Sequence, residues 1–457
     1  MLKSASITMF AHVFRNREFG HMRRLLILGL LAAVGLSAQV IALKNVRLID
    51  GSGSSPTENV TIVLSGGKIR DIGPASRVTT PEGADVVDLS GKTVIPGIIN
   101  LHGHVGMVKG LSQDMENYTR ENAEGQLKTY ATYGVTTTTS MGTDSDLILE
   151  IRDVQRRGNV NGARVLTALQ GFTTIGGYPT QAPGVKGVAQ EVATSAQARA
   201  WVNRLHDKGA DVVKMWVDDH HENFEKLPPR MYKAIIEQAH KYDMLAFAHL
   251  YELADAKGLV DAGLDVIAHS VRDAEVDDVL IAAMKNNNVT YVATLSREKS
   301  TFIYADSPEW LDDPFFRKSV DDTTLEAVKT TLKATQAKDP ERQINIDGLA
   351  MAMKNLKKLS DAGVRIGFGS DTGPPARFSG YFEHWEMELM VESGLTPMQV
   401  ITSASKTAAE ALGIEKDFGT LAKGKAADLV VLNSDPLDDI LNTRDIHYVY
   451  LAGRKLE

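Results

Sequence analysis

The stretch VIPGIINLHGHVG (residues 94–106) decides the fold, because an apolar run leads directly into two histidines. Residues 94–101 are rich in Val, Ile and Leu, which is typical of a buried strand. His102 and His104 follow with one glycine between them. In an extended chain residues i and i+2 face the same side, so both imidazoles can point into one site. Taken alone, the pattern fits a structural or solvated histidine pair equally well.

Seven further strand-like segments follow, and segments with helical periodicity separate them. The eight candidate strands are TVIPGIIN (93–100), VTTTTSM (135–141), ARVLTAL (163–169), ADVVKMWV (210–217), MLAFAHL (244–250), LDVIAHS (264–270), VTYVATL (289–295) and VRIGFGS (364–370). Such alternation predicts an α/β protein with a parallel (β/α)8 TIM barrel. A doubly wound open sheet is the rival, and the lack of a glycine-rich dinucleotide fingerprint after the first strand argues against it.

The two ends of the chain share a different pattern. Residues 41–95 read as short β segments broken by Gly, Asp and Asn, and the segments GKAADLVVLNSDP and IHYVYLAGRKLE near the C-terminus resemble them. We expect both ends to pair as one small β-sandwich domain. The predicted boundaries are 39–95 and 412–457 for the two halves of the sandwich and 96–411 for the barrel.

The start of the chain predicts export. From Met22 the sequence reads MRRLLILGLLAAVGLSAQV, which is two arginines, a short apolar stretch and then small residues. This order is typical of a secretory signal peptide, so we interpret residues 1–38 as a leader with Met22 as its start and expect a periplasmic or secreted protein. An uncleaved anchor is the alternative. A lipoprotein anchor is excluded because the chain has no cysteine.

Composition excludes several classes of partner. The net charge is −8, and no basic run suggests binding to nucleic acid or stable association with a membrane once the leader is removed. The absence of cysteine removes disulfides and thiolate metal ligands together. We therefore expect a small-molecule or peptide substrate, and any metal site must use histidine and carboxylate ligands. A homo-oligomer is compatible with the sequence.

Polar residues stand at the ends of most of the predicted strands. After the first strand come the two histidines, and the others are Lys214 on strand four, His249 and His269 at the ends of strands five and six, and Asp371 after strand eight. Functional residues of TIM barrels collect at the C-terminal ends of the strands. This distribution predicts a metal site at that face of the barrel.

Lys214 raises a sharper expectation. Burial of a lysine in an apolar strand lowers its pKa toward the neutral amine, which can react with carbon dioxide to give a carbamate. A carbamate is an anionic ligand able to bridge two metals. The alternative is an ammonium that reaches solvent or pairs with Asp218 or Asp219.

These residues together resemble the amidohydrolase superfamily. The split β domain and the segment GTLAKGKAADLVVL look like its imidazolonepropionase-like and prolidase-like branch, over residues 41–457. The resemblance implies two divalent ions, most often zinc. One ion would be held by His102, His104 and Asp371 and the other by His249 and His269. Carboxylated Lys214 would bridge the two ions, and Asp371 would be the general base for a metal-activated hydroxide.

Further residues are assigned by the same resemblance or by their position in loops. Glu252, in the motif AHLYE, matches a glutamate that transfers protons in single-metal deaminase-like members of the superfamily. Tyr251 matches a substrate or oxyanion contact of the peptidase-like branch, and an ordinary packed aromatic is its alternative. Tyr178 and His384 lie in loops after strands three and eight, so we expect them to bind substrate.

Two enzymatic functions follow from these observations. The first is an exported metal-dependent amidohydrolase that cleaves an amide or peptide bond of a dipeptide or an N-acyl amino acid. The alternative is a mononuclear cyclic amide or amidine hydrolase, or a deaminase, that uses Glu252. A non-catalytic scaffold on the same barrel is the third hypothesis, and the filled ligand positions argue against it.

Overall fold

The computed structural model describes residues 39–182 and 184–456. The predicted leader, residues 1–38, lies outside the described residues, so the signal peptide stays a prediction.

Five strands come first, and they form a sheet at the start of the described chain. They are β1 (Ile41–Leu48), β2 (Thr57–Ser65), β3 (Lys68–Pro74), β4 (Asp85–Asp88) and β5 (Thr93–Pro96). β1 and β2 pair antiparallel, as do β2 and β3, whereas β4 and β5 each pair parallel with β1. Gly97 then separates this sheet from the barrel. A side chain at this position would lie 2.3 Å from Thr136 Oγ1, so the close approach of the two layers requires glycine here.

The middle of the chain contributes twelve more strands. They are β6 (Ile98–Gly103), β7 (Val108–Lys109), β8 (Ser112–Gln113), β9 (Val135–Ser140), β10 (Arg164–Thr167), β11 (Phe172–Thr174), β12 (Gln190–Val192), β13 (Val212–Val217), β14 (Leu245–Leu250), β15 (Val266–Ala268), β16 (Thr290–Val292) and β17 (Arg365–Gly367).

Eight of these strands surround a common core. β6, β9 and β10 form one parallel group, and β13 to β17 form another in chain order. Backbone hydrogen bonds connect the groups at both seams: Leu101 N–H donates to Phe368 O over 2.8 Å, and Asp211 N–H donates to Thr167 O over 2.8 Å. The interior holds the apolar side chains Ile99, Leu101, Phe247, Val266 and Val292. The predicted (β/α)8 barrel is confirmed.

Helices connect the barrel strands and extend the loops after strands seven and eight. The α-helices are α1 (Arg120–Thr132), α2 (Leu147–Arg156), α3 (Ser195–Lys208), α4 (Pro229–His240), α5 (Leu253–Asp261), α6 (Asp278–Asn286), α7 (Leu295–Ser300), α8 (Pro314–Arg317), α9 (Asp322–Ala327), α10 (Lys333–Gln336), α11 (Arg342–Asp361), α12 (Tyr381–Glu392), α13 (Pro397–Thr402) and α14 (Ala408–Ala411). Among the described residues, no helix combines the length and the apolar character that are needed to cross a bilayer.

The C-terminal strands return to the first sheet. They are β18 (Leu429–Leu432), β19 (Ile446–Leu451) and β20 (Arg454–Lys455). β18 pairs antiparallel with β5, so the sheet runs in the order β20-β19-β18-β5-β1-β2-β3, with β4 on β1. This sheet buries an apolar cluster of its own that draws on both chain ends, including Leu43, Ile62, Leu429 and Val431. The predicted β unit built from both ends is confirmed, whereas the domain boundaries stay predictions.

Candidate metal centre

The six side chains predicted as metal ligands come together at the C-terminal ends of the barrel strands. His102 lies on β6, Lys214 on β13 and His249 on β14, while His269 directly follows β15. The His269 ring lies 4.6 Å from the His102 ring and 4.4 Å from the His249 ring, measured between centroids. Lys214 Nζ is 3.1 Å from His102 Nε2. Residues more than 160 positions apart in the chain therefore share one site, because parallel strands end at one face of the barrel.

Asp371 faces the first pair of histidines. Its Oδ1 lies 3.4 Å from His102 Nε2 and 3.0 Å from His104 Nε2. The backbone is fixed on both sides, since Asp371 N–H donates to His102 O and His104 N–H donates to Thr372 O, each over 2.7 Å. Asp371 has a φ of 56°, in the left-handed region that non-glycine residues rarely adopt. The surrounding hydrogen bonds hold this strained residue with its carboxylate toward the imidazoles.

Lys214 is fully buried in the middle of the site. Burial lowers the pKa of Lys214 to about 7; the Asp371 carboxylate opposes this shift, and Arg297 adds to it. Of the two carboxylates considered as its partners, Asp218 pairs with His249 and Asp219 pairs with Lys226. The amine is therefore held among imidazoles and Asp371, in an environment that disfavours the ammonium form.

Three of the histidines have one ring nitrogen fixed by a partner. Hydrogen bonds join His104 Nδ1 to Thr143 Oγ1 at 2.9 Å, His269 Nδ1 to Thr294 Oγ1 at 2.7 Å and His249 Nε2 to Asp218 Oδ2 at 2.8 Å. A partner on one nitrogen sets the orientation of the ring and leaves the other nitrogen available as a ligand.

The donor set fits divalent metals. His102, His269 and Asp371 offer ligand atoms within 4.8 Å of one another. The buried Nδ1 of His102 has no hydrogen-bond partner among the described residues, which is costly for a polar atom at such a site. Imidazole nitrogen and carboxylate oxygen together suit zinc, manganese or iron.

A second group of donors was not predicted. Asp218, His220 and His249 also offer ligand atoms within 4.8 Å of one another. Asp218 and His220 lie in the loop after β13, and His249 lies on β14. His220, His221 and Glu222 follow in three consecutive left-handed conformations. Asp218 had entered the sequence analysis only as a partner for Lys214, and the signal for its role was its position just after a barrel strand.

Burial and nearby charges together favour ionised carboxylates and neutral imidazoles at the site. Burial raises the pKa of Asp371, but Arg377, His102 and His104 outweigh this effect and hold the pKa well below its usual range. Burial lowers the pKa of His249 to about 3, although Asp218 opposes the shift. Neutral imidazole and ionised carboxylate are the forms that bind metals.

Arg297 is a further charged neighbour that the sequence analysis missed. It lies on α7 after the seventh barrel strand, is 7% exposed and places Nε 3.9 Å from Asp371 Oδ2. Its Nη1 donates to Glu298 Oε2 over 2.6 Å, and Glu298 also pairs with Arg272. The signal was the charged pair in TLSREKS, directly after an apolar strand.

The remaining predicted residues divide between the cavity and other places. Tyr178 reaches the site, with its ring 5.3 Å from the His249 ring. Glu252 does not line the cavity and pairs with Lys226 at 3.0 Å. Tyr251 also lies outside the cavity lining, and its ring packs under the Arg272 guanidinium.

His384 does not reach the site, contrary to the expectation of a substrate contact. It is buried on α12 with both ring nitrogens occupied, since hydrogen bonds join Nδ1 to Thr443 Oγ1 at 2.9 Å and Nε2 to Tyr133 O at 2.8 Å. The loop after β17 ends where α12 begins at Tyr381, and the first turns of this helix are buried in the core. His384 therefore faces the core instead of the cavity.

A cavity of about 220 Å³ opens onto the metal-ligand cluster. Apolar side chains form much of its wall, and Arg377 adds a cationic group that also pairs with Asp371. The apolar lining residues are Met107, Val108, Pro179, Ala182, Val185, Trp216, Pro374 and Pro375. The cavity can therefore hold a small, partly apolar molecule against the ligand cluster.

Comparison with known proteins agrees with this architecture. Ochratoxinase of Aspergillus niger is 27% identical over 244 residues, which is 51% of this chain and 43% of that protein, so the chain spans less than half the length of this relative. A 5-methylthioadenosine/S-adenosylhomocysteine deaminase of Bacillus cereus is 23% identical over 435 residues, or 87% of this chain and 86% of that protein.

Solved structures show the same fold. A Xaa-Pro dipeptidase with bound methionine in the active site superposes with a TM-score of 0.73 at 23% identity, covering 92% of this chain and 100% of that one. The sequence model of the Amidohydrolase family matches residues 93–456, which includes all six clustered side chains. The chain therefore belongs to the amidohydrolase family, a class of hydrolytic enzymes.

Proposed function

We propose that this protein hydrolyses the amide bond of a dipeptide or an N-acyl amino acid with the help of two divalent ions, zinc in the first instance. The observation that carries the proposal is Lys214, an amine with no exposed surface that lies 3.1 Å from His102. A charged lysine is costly at such a position, whereas a carbamate at Lys214 would supply an anionic oxygen ligand to divalent ions held by the neighbouring side chains.

Carboxylation of Lys214 needs a neutral amine. A bond forms between Nζ and the carbon of carbon dioxide, and the nitrogen releases one proton. With a pKa lowered to about 7, a large fraction of the Lys214 side chain is neutral at physiological pH. His102, His104 and Asp371 would then hold one ion and His249 and His269 the other, with carboxylated Lys214 between them.

Two bound ions would supply Lewis acidity to the attacking water and to the scissile carbonyl. Asp371 accepts a proton from that water while the water oxygen forms a bond to the carbonyl carbon. When the carbon–nitrogen bond breaks, Asp371 returns the proton to the leaving nitrogen. Arg377 and Arg297, both near Asp371 Oδ2, keep its carboxylate ionised before the attack.

The cavity supports a substrate that carries both a carboxylate and an apolar group. Arg377 lies in the cavity wall, and guanidinium groups bind carboxylates with two parallel hydrogen bonds. Pro179, Pro374 and Trp216 offer apolar surface close by. The ring of Tyr178 lies beside His249 in the cavity lining, and its hydroxyl would donate a hydrogen bond to the substrate.

A hydrolysis screen tests the proposal. Zinc-loaded protein is offered dipeptides, N-acyl amino acids, lactams and adenosine derivatives, and release of the amine or acid is measured. We expect turnover of the first two classes. Turnover of the lactams or the adenosine derivatives alone would contradict the proposed substrate class.

A single-metal deaminase is the second candidate, since the Bacillus cereus relative matches 87% of this chain and is named for deamination. The placement of Glu252 weighs against it, because this carboxylate pairs with Lys226 instead of lining the cavity. Lys214→Ala separates the two candidates. We expect the variant to lose its zinc pair and its hydrolytic activity, whereas a single-metal reaction would largely survive.

We also propose that the protein is exported, on the basis of the leader-like residues 22–38. Fractionation of cells that express the full chain, followed by sequencing of the mature N-terminus, tests this proposal. We expect a periplasmic or secreted product that has lost the leader. A full-length product in the cytosol would contradict it.

A further inference from the structure

A buried glutamate on α12 gathers hydrogen bonds from both sides of Asp371. Glu383 has no exposed surface. Its Oε1 accepts from Ser370 Oγ and from Thr372 Oγ1, each over 2.6 Å. Its Oε2 accepts from the backbone N–H of Gly380 over 2.6 Å. Because Ser370 and Thr372 are the two neighbours of Asp371 in the chain, one carboxylate holds the backbone on both sides of the proposed general base.

The same carboxylate reaches the first barrel strand through Asn100. Asn100 Nδ2 donates to Glu383 Oε1 over 2.8 Å. The side-chain oxygen of Asn100 in turn accepts from His102 N–H over 3.0 Å and from Ser370 N–H over 3.3 Å. Asn100 and Glu383 therefore connect the strand that carries His102 and His104 to the segment that carries Asp371.

This connection matters because these three ligands come from the two strands that meet at a barrel seam. β6 pairs with β9 as far as Gly103, and Gly103 also forms an isolated parallel bridge with Thr372. Asp371 adopts a left-handed conformation beyond the end of β17. A non-glycine residue at positive φ persists only where its surroundings determine it. Backbone hydrogen bonds from Asp371 N–H to His102 O and from His104 N–H to Thr372 O already connect this segment to β6. The side-chain bonds at positions 370 and 372 add a second set of restraints on the same segment.

We propose that Glu383 is a positioning residue that acts, together with Asn100, to hold Asp371 and His102 at the spacing required for one metal ion. The proposal rests on the proposed two-metal function. Outer-shell groups that orient metal ligands affect affinity for the metal strongly, although they do not touch the ion.

The alternative is that Glu383 contributes only to stability, as any well-bonded buried carboxylate would. Glu386 provides a matched control for this alternative. It lies one turn further along α12, is 1% exposed and accepts from the backbone N–H groups of Leu295 and Ser296 over 2.9 and 2.7 Å. It bonds the start of α7 and, within the described chain, makes no direct hydrogen bond to residues 370–372; its connection to them runs through Ser296, whose Oγ donates to Ser370 O over 3.3 Å.

The experiment measures the zinc affinity of the full-length protein at 25 °C and pH 7.5 by competition with a chelator. For Glu383→Ala we expect a 10- to 100-fold loss of affinity at one of the two sites. For Glu386→Ala we expect both affinities to stay within threefold of the original protein, whatever the change in unfolding temperature. Glu383→Gln keeps one acceptor oxygen and is expected to recover part of the loss.

Asn100→Ala adds an independent measurement, because Asn100 and Glu383 are expected to act as a unit. The double variant should then lose little more affinity than the more affected single variant. Should Glu383→Ala fail to fold, Glu383→Gln and Asn100→Ala carry the test, each with an expected loss of at least threefold.

Unchanged affinity in the Glu383 variants, or an equal loss in Glu386→Ala, would overturn the positioning role while leaving the metal centre intact. An original protein that binds zinc at neither site would instead overturn the proposed function, and the positioning role with it. The two failures are therefore distinguishable in one set of titrations.

Discussion

At the scale of single residues, the site depends on side chains whose pKa values are shifted by their surroundings. Burial lowers the pKa of Lys214 to about 7. Asp371 is a buried carboxylate whose pKa is held well below its usual range by Arg377 and the histidines, so it stays ionised. Strongly shifted pKa values concentrate at functional sites, because catalysis requires groups with pKa values matched to their roles. The same side chains would supply the ligands and the base of the proposed two-metal mechanism, which needs no serine or cysteine nucleophile.

The role of Asp371 is tested by its amide. In Asp371→Asn we expect turnover to fall about 10²- to 10⁴-fold, because the side chain can no longer accept the proton of the attacking water. Hydrolysis of the best dipeptide is measured together with zinc content. A variant that holds less zinc than the original protein must first be loaded by added zinc, so that the loss reports on proton transfer. Activity within tenfold of the original would disqualify Asp371 as the base.

Arg377 is expected to control substrate recognition. In Arg377→Lys the charge remains but the two parallel hydrogen bonds to a carboxylate are lost, so KM for an N-acyl amino acid should rise about tenfold or more. The same substrate with its carboxylate converted to an amide should bind poorly to both proteins and show little difference between them. An equal change in KM for both substrates would contradict recognition of the carboxylate.

At the scale of elements, α12 supports the two segments that follow the last two barrel strands, β16 and β17. Its residues Glu383 and Glu386 are both enclosed, and each bonds a different loop at the C-terminal face of the barrel. The helix therefore acts as a rigid support for the segments after strands seven and eight, which carry Arg297 and Asp371. A support of this kind explains why a strained residue such as Asp371 can be held in place.

Glu386 gives this helix a pH dependence. Burial raises the pKa of Glu386 from 4.5 to about 7, against the opposing effect of the Ser296 and Leu295 hydrogen bonds. Between these values the folded protein binds a proton that the unfolded chain releases, so this group's contribution to stability falls as pH rises from about 4.5 to about 7. Glu386→Gln should remove that contribution.

The measurement is the unfolding temperature of the metal-free original protein and of Glu386→Gln at several pH values. Other groups titrate in both proteins, so the difference between the two curves isolates Glu386. We expect the variant to gain stability relative to the original as pH rises from 5 to 7.5. A difference that is constant with pH, or that moves in the opposite direction, would contradict the raised pKa.

Some elements were predictable from the sequence and others were not, for physical reasons. Strands such as β13 and β14 are enclosed on both faces, so they appear as apolar runs, and Lys214 and His249 stand out within them. The loop strands β11 and β12 have only three residues each and lack a comparable pattern. Their pairing depends on contacts with distant parts of the chain.

The same contrast holds for the site. The six clustered side chains were predictable because the barrel places strand ends at one face, whatever the loops do. The sequence did not reveal the site roles of four other residues, because those roles depend on partners far away in the sequence. These residues are Asn100, Asp218, Arg297 and Glu383. The position of His384 also depended on the packing of α12, which periodicity does not reveal.

At the scale of the whole molecule, a sheet built from both chain ends flanks a barrel whose ligands come from strands spread over residues 98–371. Metal binding should therefore stabilise the fold, because the ligands are brought together only in the folded state. A free zinc concentration of one hundred times the dissociation constant adds about 2.7 kcal/mol to the free energy of unfolding.

Zinc is accordingly expected to raise the unfolding temperature by several degrees, and a chelator should reverse the change. Lys214→Ala is the control, since it should show a smaller shift at the same free zinc concentration. Equal shifts in the two proteins would mean that zinc binds elsewhere.

A crystal structure of the zinc-loaded protein, with anomalous diffraction recorded at the zinc edge, tests the two-metal centre directly. We expect two anomalous peaks about 3.5–4 Å apart, one beside His102, His104 and Asp371 and the other beside His249 and His269. Continuous density beyond Lys214 Nζ should lie between them. A single peak, or a Lys214 side chain that ends at its amine, would contradict the two-metal centre.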